Sequence, residues 1–153
     1  MTERKILFPT DFSHASDAAL DWATSLARER GATLLIVHVE EPPAAYAGGE
    51  MYYGMPDPAT EDLEKMLFQV RPTDPQVRHE HRLLTGDPAT AIARLAEHED
   101  VELIVMGTHG RTGLLRLLMG SVAEAVVRRA ACPVLTLKQP RKKGGNPPEA
   151  PAG

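Results

Sequence analysis

The sequence predicts a single α/β domain with a five-stranded parallel sheet and helices on both faces. Five strands alternate with four helices along the chain, which is the pattern of a parallel α/β sandwich. The runs at residues 33–39 and 103–106 are almost entirely apolar, as expected for strands that are covered on both faces. The length of 153 residues corresponds to one domain.

The first part of the chain is predicted to form a strand, a helix and a second strand. Lys5–Pro9 is a short apolar strand that ends at a proline, which cannot donate a hydrogen bond to a ladder. Ser13 is a suitable N-cap for the helix, and Gly31 ends it. Thr33–Val39 is the second strand. The inward face of the helix is predicted from its helical spacing to contain Ala15, Ala19, Trp22, Ala23, Leu26 and Ala27.

The middle of the chain combines an irregular segment with a helix and a polar strand. Glu40–Pro58 is rich in Pro, Gly, Tyr and Met, and its length predicts a functional loop or a mobile lid. A helix is predicted over Ala59–Val70, and Pro72 ends it. Gln76–Leu84 alternates only loosely between apolar and polar residues, which favours an edge strand. The inward residues predicted for the helix are Leu63, Met66, Leu67 and Val70.

The last part of the chain repeats the alternation of helix and strand. Asp87 is a suitable N-cap, and Pro88 fits the first helical position. A strand over Glu102–Met106, a helix over Ser121–Arg129 and a strand over Cys132–Leu137 are predicted to follow. The inward residues of the two helices are predicted to be Ala89, Ile92, Ala93 and Ala96 in the first and Val122, Ala125 and Val126 in the second.

The stretch Leu103–Ala125 joins a strand, a glycine-rich loop and the start of a helix. Gly107 and Gly110 follow the apolar strand, and Gly120-Ser121 precedes the last helix. Glycines allow the backbone to approach a ligand closely. The N–H groups of a helix start carry about half a unit of positive charge from the helix dipole. This arrangement therefore predicts an anion site, most naturally for phosphate.

Two better-known phosphate loops do not fit this stretch. Met106–Ala123 contains two arginines and no acidic residue, which suits an anion, but it has no lysine for a Walker A loop. The Rossmann fingerprint needs a different glycine spacing and an acidic residue about 20 positions later. Arg128 and Arg129 stand there instead. Both alternatives are therefore excluded.

The spacing Gly107-x2-Gly110-x9-Gly120-Ser121 resembles the nucleotide-binding signature of the universal stress protein family. Ile6–Ser13 resembles the opening strand and turn of that family, Val101–His109 its fourth strand and Ala131–Leu135 its closing strand. The resemblance covers most of residues 4–138 and implies the strand order 3-2-1-4-5. In such a sheet the ligand crevice lies between the carboxyl ends of strands 1 and 4. The Pro9–Asp11 turn would then meet the glycine loop.

The resemblance implies ATP with Mg²⁺ as the ligand. The Asp11 carboxylate would accept from a ribose hydroxyl or the adenine amino group, although Asp near a helix start also serves as a cap. Val39 would line the adenine pocket or belong to an ordinary core, and His109 and Arg111 would touch phosphate or face water. The residues expected to contact the nucleotide are Pro9, Thr10, Asp11, Val39, Met106, Gly107, His109, Gly110, Arg111, Gly120, Ser121 and Val122.

Composition narrows the class of protein. The net charge is −4, with −6 on residues 1–138 and +2 on residues 139–153, so a nucleic-acid surface is not expected. The second range is basic and then rich in Gly and Pro, which predicts a disordered tail. Cys132, the only cysteine, is expected to be a buried, inert thiol in a reducing compartment. No run is long and apolar enough to span a membrane, and no leader is recognised, so a cytoplasmic location is expected.

The sequence favours a regulatory ATP-binding protein over an enzyme. It offers no nucleophile paired with a base, so no catalytic residue is assigned and at most slow ATP hydrolysis is expected. His79 and His81 lack a third ligand, so no metal site within the protein is expected. The resemblance also implies a homodimer through Val134–Leu137, and an unknown regulatory partner is conceivable. The alternatives are a slow ATPase and a nucleotide-free dimeric interaction module.

Overall fold

A computed structural model describes residues 3–42, 58–108 and 119–138, and in these ranges strands and helices alternate. The strands are β1 (Lys5–Pro9), β2 (Thr33–Glu40), β3 (His79–Thr85), β4 (Leu103–Gly107) and β5 (Val134–Leu137). The helices are α1 (His14–Arg30), α2 (Pro58–Gln69), α3 (Pro88–His98) and α4 (Ser121–Arg129). All strand pairs are parallel, and the order is β3-β2-β1-β4-β5. The predicted α/β fold and strand order are confirmed.

Helices α1 and α2 cover one face of the sheet, and α3 and α4 cover the other. The strand residues buried on the first face are Ile6, Phe8, Leu34, Ile36 and Val105. Those buried on the second face are Leu7, Leu35, Val37, Ile104 and Met106. Neighbouring side chains of a strand therefore enter opposite core layers, which is why the strands are apolar throughout. Phe8 is the one buried aromatic side chain within the described ranges, as the low aromatic content predicts.

The inward face of α1 differs from the prediction at Trp22, whose side chain is 56% exposed. The helix instead buries a row of alanines spaced by four residues: Ala15, Ala19, Ala23 and Ala27. Ser16, Leu20 and Thr24 are buried beside this row. Small side chains let the helix axis approach the sheet closely, and that close approach leaves no room for an indole ring.

Two other inward residues were predicted incorrectly, each by one position. Met66 in α2 is exposed, while Leu67 is buried. Val122 in α4 is 37% exposed, and Ala123 is buried in its place beside Val126. Each helix is short, so a face displaced by one residue fits the apolar pattern nearly as well.

The element boundaries agree with the prediction to within three residues. β3 begins at His79 instead of Gln76, because Asp74 accepts a hydrogen bond from the Gln76 N–H at 2.9 Å and shapes a turn there. It lies at the edge of the sheet, as predicted. β5 begins at Val134 instead of Cys132. Cys132 is half-buried instead of fully buried, and burial raises the pKa of its thiol.

Several predictions concern residues outside the described ranges. These are most of the Glu40–Pro58 segment, the loop residues His109, Gly110 and Arg111, and the tail at residues 139–153. They stay predictions. In the part of the chain that is described, no helix combines the length and apolarity needed to cross a membrane.

Candidate functional site

The two central strands part at their carboxyl ends. The last register pair between β1 and β4 joins Leu7 to Ile104, two residues before β1 ends and three before β4 ends. On their outer sides the same strands stay paired through Pro9 and Gly107. The strand order also reverses direction at this point, and ligands of open α/β sheets bind in such a crevice.

The turn after β1 borders this crevice and is closely hydrogen-bonded. The Asp11 carboxylate oxygen Oδ1 accepts from the Ser13 N–H at 3.0 Å and from the Ser16 hydroxyl at 2.8 Å. The Phe12 N–H donates to the Thr10 hydroxyl at 3.0 Å. Phe12 has a φ of 66°, which is uncommon for a residue with a side chain. Asp11 was predicted either to bind the nucleotide or to serve as a helix cap. The observed hydrogen bonds of Oδ1 are those of a residue that organises the start of α1.

His38, a residue not predicted from the sequence to take part in the site, contacts the same turn from the neighbouring strand β2. Its Nδ1 lies 2.8 Å from the carbonyl oxygen of Thr10, and its ring centroid lies 4.5 Å from that of Phe12. The available signal was a lone imidazole near the end of an otherwise apolar strand. The sequence does not show which group this imidazole contacts, because the contact with Thr10 depends on β2 lying beside β1.

The end of β4 packs tightly against α1. A Cβ atom at Gly107 would lie 3.4 Å from both the Cβ and the carbonyl oxygen of Ala15. The residue that follows, Thr108, is buried and donates its N–H to the carbonyl of Leu137 at 2.9 Å. Its own carbonyl accepts from the Gly120 N–H at 2.6 Å. Thr108 thus connects the end of β4 to β5 and to the start of α4.

Among the residues that the structure describes, no side chain caps the start of α4. Gly120 is the N-cap residue, in extended conformation with φ −61° and ψ 154°, and it has no side chain to accept from the first-turn amides. In contrast, Ser13 caps α1 and Asp87 caps α3 through their side chains. Ser121 is exposed at this helix start. Backbone N–H groups and the positive end of a helix dipole are therefore presented at the crevice.

The structure brings most of the predicted site residues to one edge of the sheet. Pro9 ends β1, and Thr10 and Asp11 follow it. Met106 and Gly107 end β4, and the next residue, Thr108, is hydrogen-bonded to Gly120. The Met106 side chain is buried in the core layer that α3 and α4 cover. Val39, Ser121 and Val122 lie at the end of β2 and in the first turn of α4. Val39 is half-buried and packs against the core layer under α3, in agreement with the core alternative.

The histidine pair on β3 shows no arrangement for a metal ion. The rings of His79 and His81 meet edge-on with centroids 5.1 Å apart, and Nε2 of His81 bonds the carbonyl oxygen of Val70 at 2.7 Å. Burial, followed by the nearby His81, lowers the pKa of His79. Across residues 3–42, 58–108 and 119–138 no group of three His, Cys, Asp or Glu side chains is placed to hold a metal ion.

Comparison with known proteins gives a consistent result. The model of the universal stress protein family matches residues 3–138. Universal stress protein MJ0531 of Methanocaldococcus jannaschii is 35% identical over 144 residues, covering 92% of this chain and 85% of that protein. The solved structure of hypothetical protein MJ0577 superposes with a TM-score of 0.79 at 28% identity, covering 93% of this chain and all of that one.

A further solved structure is a universal stress protein in complex with cAMP. It has a TM-score of 0.63 at 22% identity and covers 92% of this chain and 100% of that one. At this level of identity the likeness shows a common fold. All three proteins span nearly the whole folded part of the chain, so the match is not confined to the glycine loop.

Proposed function

Since the chain belongs to the universal stress protein family, we propose that it is a regulatory protein that binds ATP with Mg²⁺. The nucleotide would lie in the crevice between β1 and β4, with its phosphates at the start of α4. The observation that carries this proposal is the combination of parted central strands with an uncapped helix start at the same edge. Few arrangements of backbone present N–H groups and a helix dipole so directly to an anion.

The phosphate half of the proposed site depends on backbone groups. The first-turn amides of α4 follow Gly120, whose N–H is already bonded to Thr108. The exposed Ser121 hydroxyl would add a donor to a phosphate oxygen. Gly110, His109 and Arg111 would complete this half from the glycine loop, as the family signature implies.

The adenosine half of the proposed site is the turn after β1. Pro9 and Thr10 would contact the base or ribose, and Asp11 would accept hydrogen bonds from them. Oδ1 of Asp11 already accepts hydrogen bonds from Ser13 and Ser16, so the carboxylate would contact the nucleotide from a fixed position. Val39 would border the base from β2. Pro9, Thr10 and Val39 carry no aromatic ring, so these residues would hold the base by packing and backbone contacts.

Mg²⁺ would be bound together with ATP. Magnesium typically keeps several waters and is held through phosphate oxygens with one or two protein ligands at most. The described ranges contain no group of three metal-ligating side chains, and such a group is not needed for this mode of binding. ATP supplies the oxygen ligands itself.

We assign no catalytic residue, and slow ATP hydrolysis is the most that we expect. A bound nucleotide with Mg²⁺ needs only a positioned water for slow turnover. A rate above about one per second, near the low end of typical enzymes, would contradict the regulatory role. A nucleotide-free interaction module remains the second candidate, because Val39 packs against the core layer and Oδ1 of Asp11 accepts its hydrogen bonds from within the protein.

We further propose that the protein forms a homodimer through β5. Val134–Leu137 is the outer strand on one side of the sheet, and all four residues are half-buried. An apolar sheet edge left unpaired favours aggregation, and pairing with a two-fold mate would remove it. Sedimentation at micromolar concentration should give a dimer, and a monomer would contradict this part of the proposal. We also propose that the protein is located in the cytoplasm and acts on a regulatory partner that is not identified.

Thermal melting with and without millimolar Mg-ATP tests the main proposal. A ligand present at 100 times its Kd adds about 2.7 kcal/mol to the free energy of unfolding. For a domain of this size the melting temperature should rise by roughly 5–10 °C. ADP, AMP and cAMP rank the contribution of the phosphates, and GTP is the control for the base. Acid extraction beforehand shows whether nucleotide has co-purified, and absence of both a shift and bound nucleotide would refute ATP binding.

A further inference from the structure

His38 joins the turn after β1 to the neighbouring strand. The 2.8 Å distance from its Nδ1 to the Thr10 carbonyl oxygen is that of a good hydrogen bond, with the ring N–H as donor. The backbone N–H of Thr10 donates to the Val37 carbonyl at 2.8 Å. The ring of His38 also packs on Phe12. Contacts from β2 therefore hold both the beginning and the middle of the turn.

The turn needs such support because its backbone is strained. Phe12 adopts a left-handed conformation with φ 66°, which L-residues avoid unless the surroundings enforce it. The bonds that Asp11 makes with Ser13 and Ser16 shape the turn and join it to α1. They do not fix its position relative to β2. Two contacts from β2 do so: the bond from the Thr10 N–H to the Val37 carbonyl and the side chain of His38, which holds the Thr10 carbonyl and the Phe12 ring.

We propose that His38 is a positioning residue for the adenosine half of the nucleotide site. By holding the Thr10 carbonyl and the Phe12 ring, it fixes Thr10 and Asp11 at the border of the crevice. Loss of the imidazole leaves the buried Thr10 without this partner and lets Phe12 relax. The Thr10 carbonyl and the backbone on either side of it then lose their side-chain attachment to β2. This inference rests on the proposed ATP binding and assigns a role to a residue outside the family signature.

The test compares two variants of His38 with the wild-type protein. His38→Leu keeps an apolar contact for Phe12 but removes the donor, whereas His38→Asn places an amide N–H near the position of Nδ1. Calorimetry gives the Kd for Mg-ATP, and competition gives the Kd for inorganic tripolyphosphate. For His38→Leu we expect the Kd for ATP to rise about fivefold, with tripolyphosphate binding unchanged. His38→Asn should recover most of the affinity for ATP.

The outcomes separate this inference from the proposed function. A wild-type protein that does not bind ATP refutes both. Wild-type binding with equal affinity in His38→Leu refutes the role of His38 alone. An equal loss of affinity for ATP and tripolyphosphate also refutes it, because a general structural defect would act on both halves of the site. Nitrogen-15 NMR of the wild-type ring adds a check without any variant: Nδ1 should carry the proton, and a proton on Nε2 alone would overturn the hydrogen bond.

Discussion

Two neighbouring helices on the same face of the sheet, α3 and α4, begin in opposite ways. Asp87 caps α3, and its carboxylate accepts from the Thr90 N–H at 3.0 Å and the Thr90 hydroxyl at 2.7 Å. Arg129 approaches that carboxylate to 3.6 Å. Gly120 stands at the same position of α4 in a similar extended conformation but contributes no side-chain hydrogen bond.

Under the proposed function, this difference keeps the start of α4, and not that of α3, available to an anionic ligand. The Asp87 carboxylate occupies the positive end of the α3 dipole, so an external anion would meet a negative charge there. At α4 the N-cap glycine contributes no carboxylate. The start of α4 is hydrogen-bonded to Thr108, which follows β4 at the end of the sheet where β4 parts from β1. The proposed phosphate site therefore depends on the lack of a capping side chain at Gly120 as well as on the glycine loop.

The largest expected effect comes from giving α4 the start that α3 has. Gly120→Asp fits the extended backbone of the N-cap, so the melting temperature without nucleotide should stay the same or rise. Its carboxylate would accept from the first-turn amides and repel the phosphates. Like charges in contact cost several kcal/mol, so the Kd for Mg-ATP should rise at least about 100-fold. Calorimetry measures the Kd, and a melting curve measures stability.

Gly120→Asn is the matched control for this substitution. The amide also caps the helix but carries no charge, so the difference between the Asp and Asn variants isolates electrostatic repulsion. We expect the Asn variant to bind ATP more weakly than wild type and more tightly than the Asp variant. If Gly120→Asp binds Mg-ATP with wild-type affinity, the start of α4 does not bind the phosphates.

The second substitution compares the strand ends that precede the two helices. A side chain at Gly107 must fit against Ala15 of α1, whereas Thr85 at the end of β3 is exposed. Gly107→Leu should lower the free energy of unfolding by about 1–3 kcal/mol, because overpacking forces β4 and α1 apart. Urea unfolding measures it. Thr85→Leu should change stability little, and equal effects at the two positions would contradict the close packing of β4 on α1.

A third test uses the other end of α3, where a carboxylate is unfavourable for the helix dipole. Glu99 accepts a hydrogen bond from Lys5 at 2.6 Å and pairs with Arg82 at 3.1 Å, and the hydrogen bond from Lys5 is the main cause of its lowered pKa. Because the folded pKa lies below the ordinary 4.5, this stabilisation is present above that pH and is lost as pH falls through the folded value.

Glu99→Gln should therefore lower stability by about 1 kcal/mol at pH 7 and by much less in acid. Melting curves of both proteins across this pH range measure the difference. ATP affinity should not change, since Glu99 lies at the opposite end of α3 from the helix start. A difference that persists unchanged in acid would show that the charge of Glu99 contributes nothing.

The smallest expected effect is the loss of the α3 cap. Asp87→Ala should lower the melting temperature by about 2 °C, because the first-turn amide of Thr90 loses its acceptor. Hydrogen bonds from Thr90, and then the charge of Arg129, lower the pKa of Asp87, so this contribution also disappears in acid. Asp87→Asn is the control that keeps the acceptor. A gain of ATP binding at α3 would show that the parted strands are not needed for the site.

The sequence was a good guide where local chemistry and tertiary structure agree. Ser13, Gly31 and Asp87 are caps whose side chain or backbone acts within a few residues, and all three were predicted. The strand order followed from the family resemblance. The face of α1 was harder, because an apolar Trp22 satisfies the helical period while the close alanine packing excludes it.

The candidate site was predictable only in part. The glycine spacing pointed to the start of α4, but no pattern in the sequence shows that β1 and β4 lose their pairing before they end. The same is true of His38 and Thr10, which lie 28 positions apart and meet only because β2 neighbours β1. Asp11 was predicted either to contact the nucleotide or to act as a helix cap. Its bonds to Ser13 and Ser16 depend on the path of the turn, which the sequence does not show.

The most direct measurement is the change in backbone amide NMR signals during titration with Mg-ATP. If the phosphates bind at the uncapped helix, the amides of Ser121, Val122 and Ala123 should show the largest shifts. The amides of Thr90 and Ala91 in the first turn of α3 should be nearly unaffected and serve as the internal reference. Saturation with ATP that leaves the α4 amides unshifted, or that shifts the α3 amides instead, would contradict the proposed site.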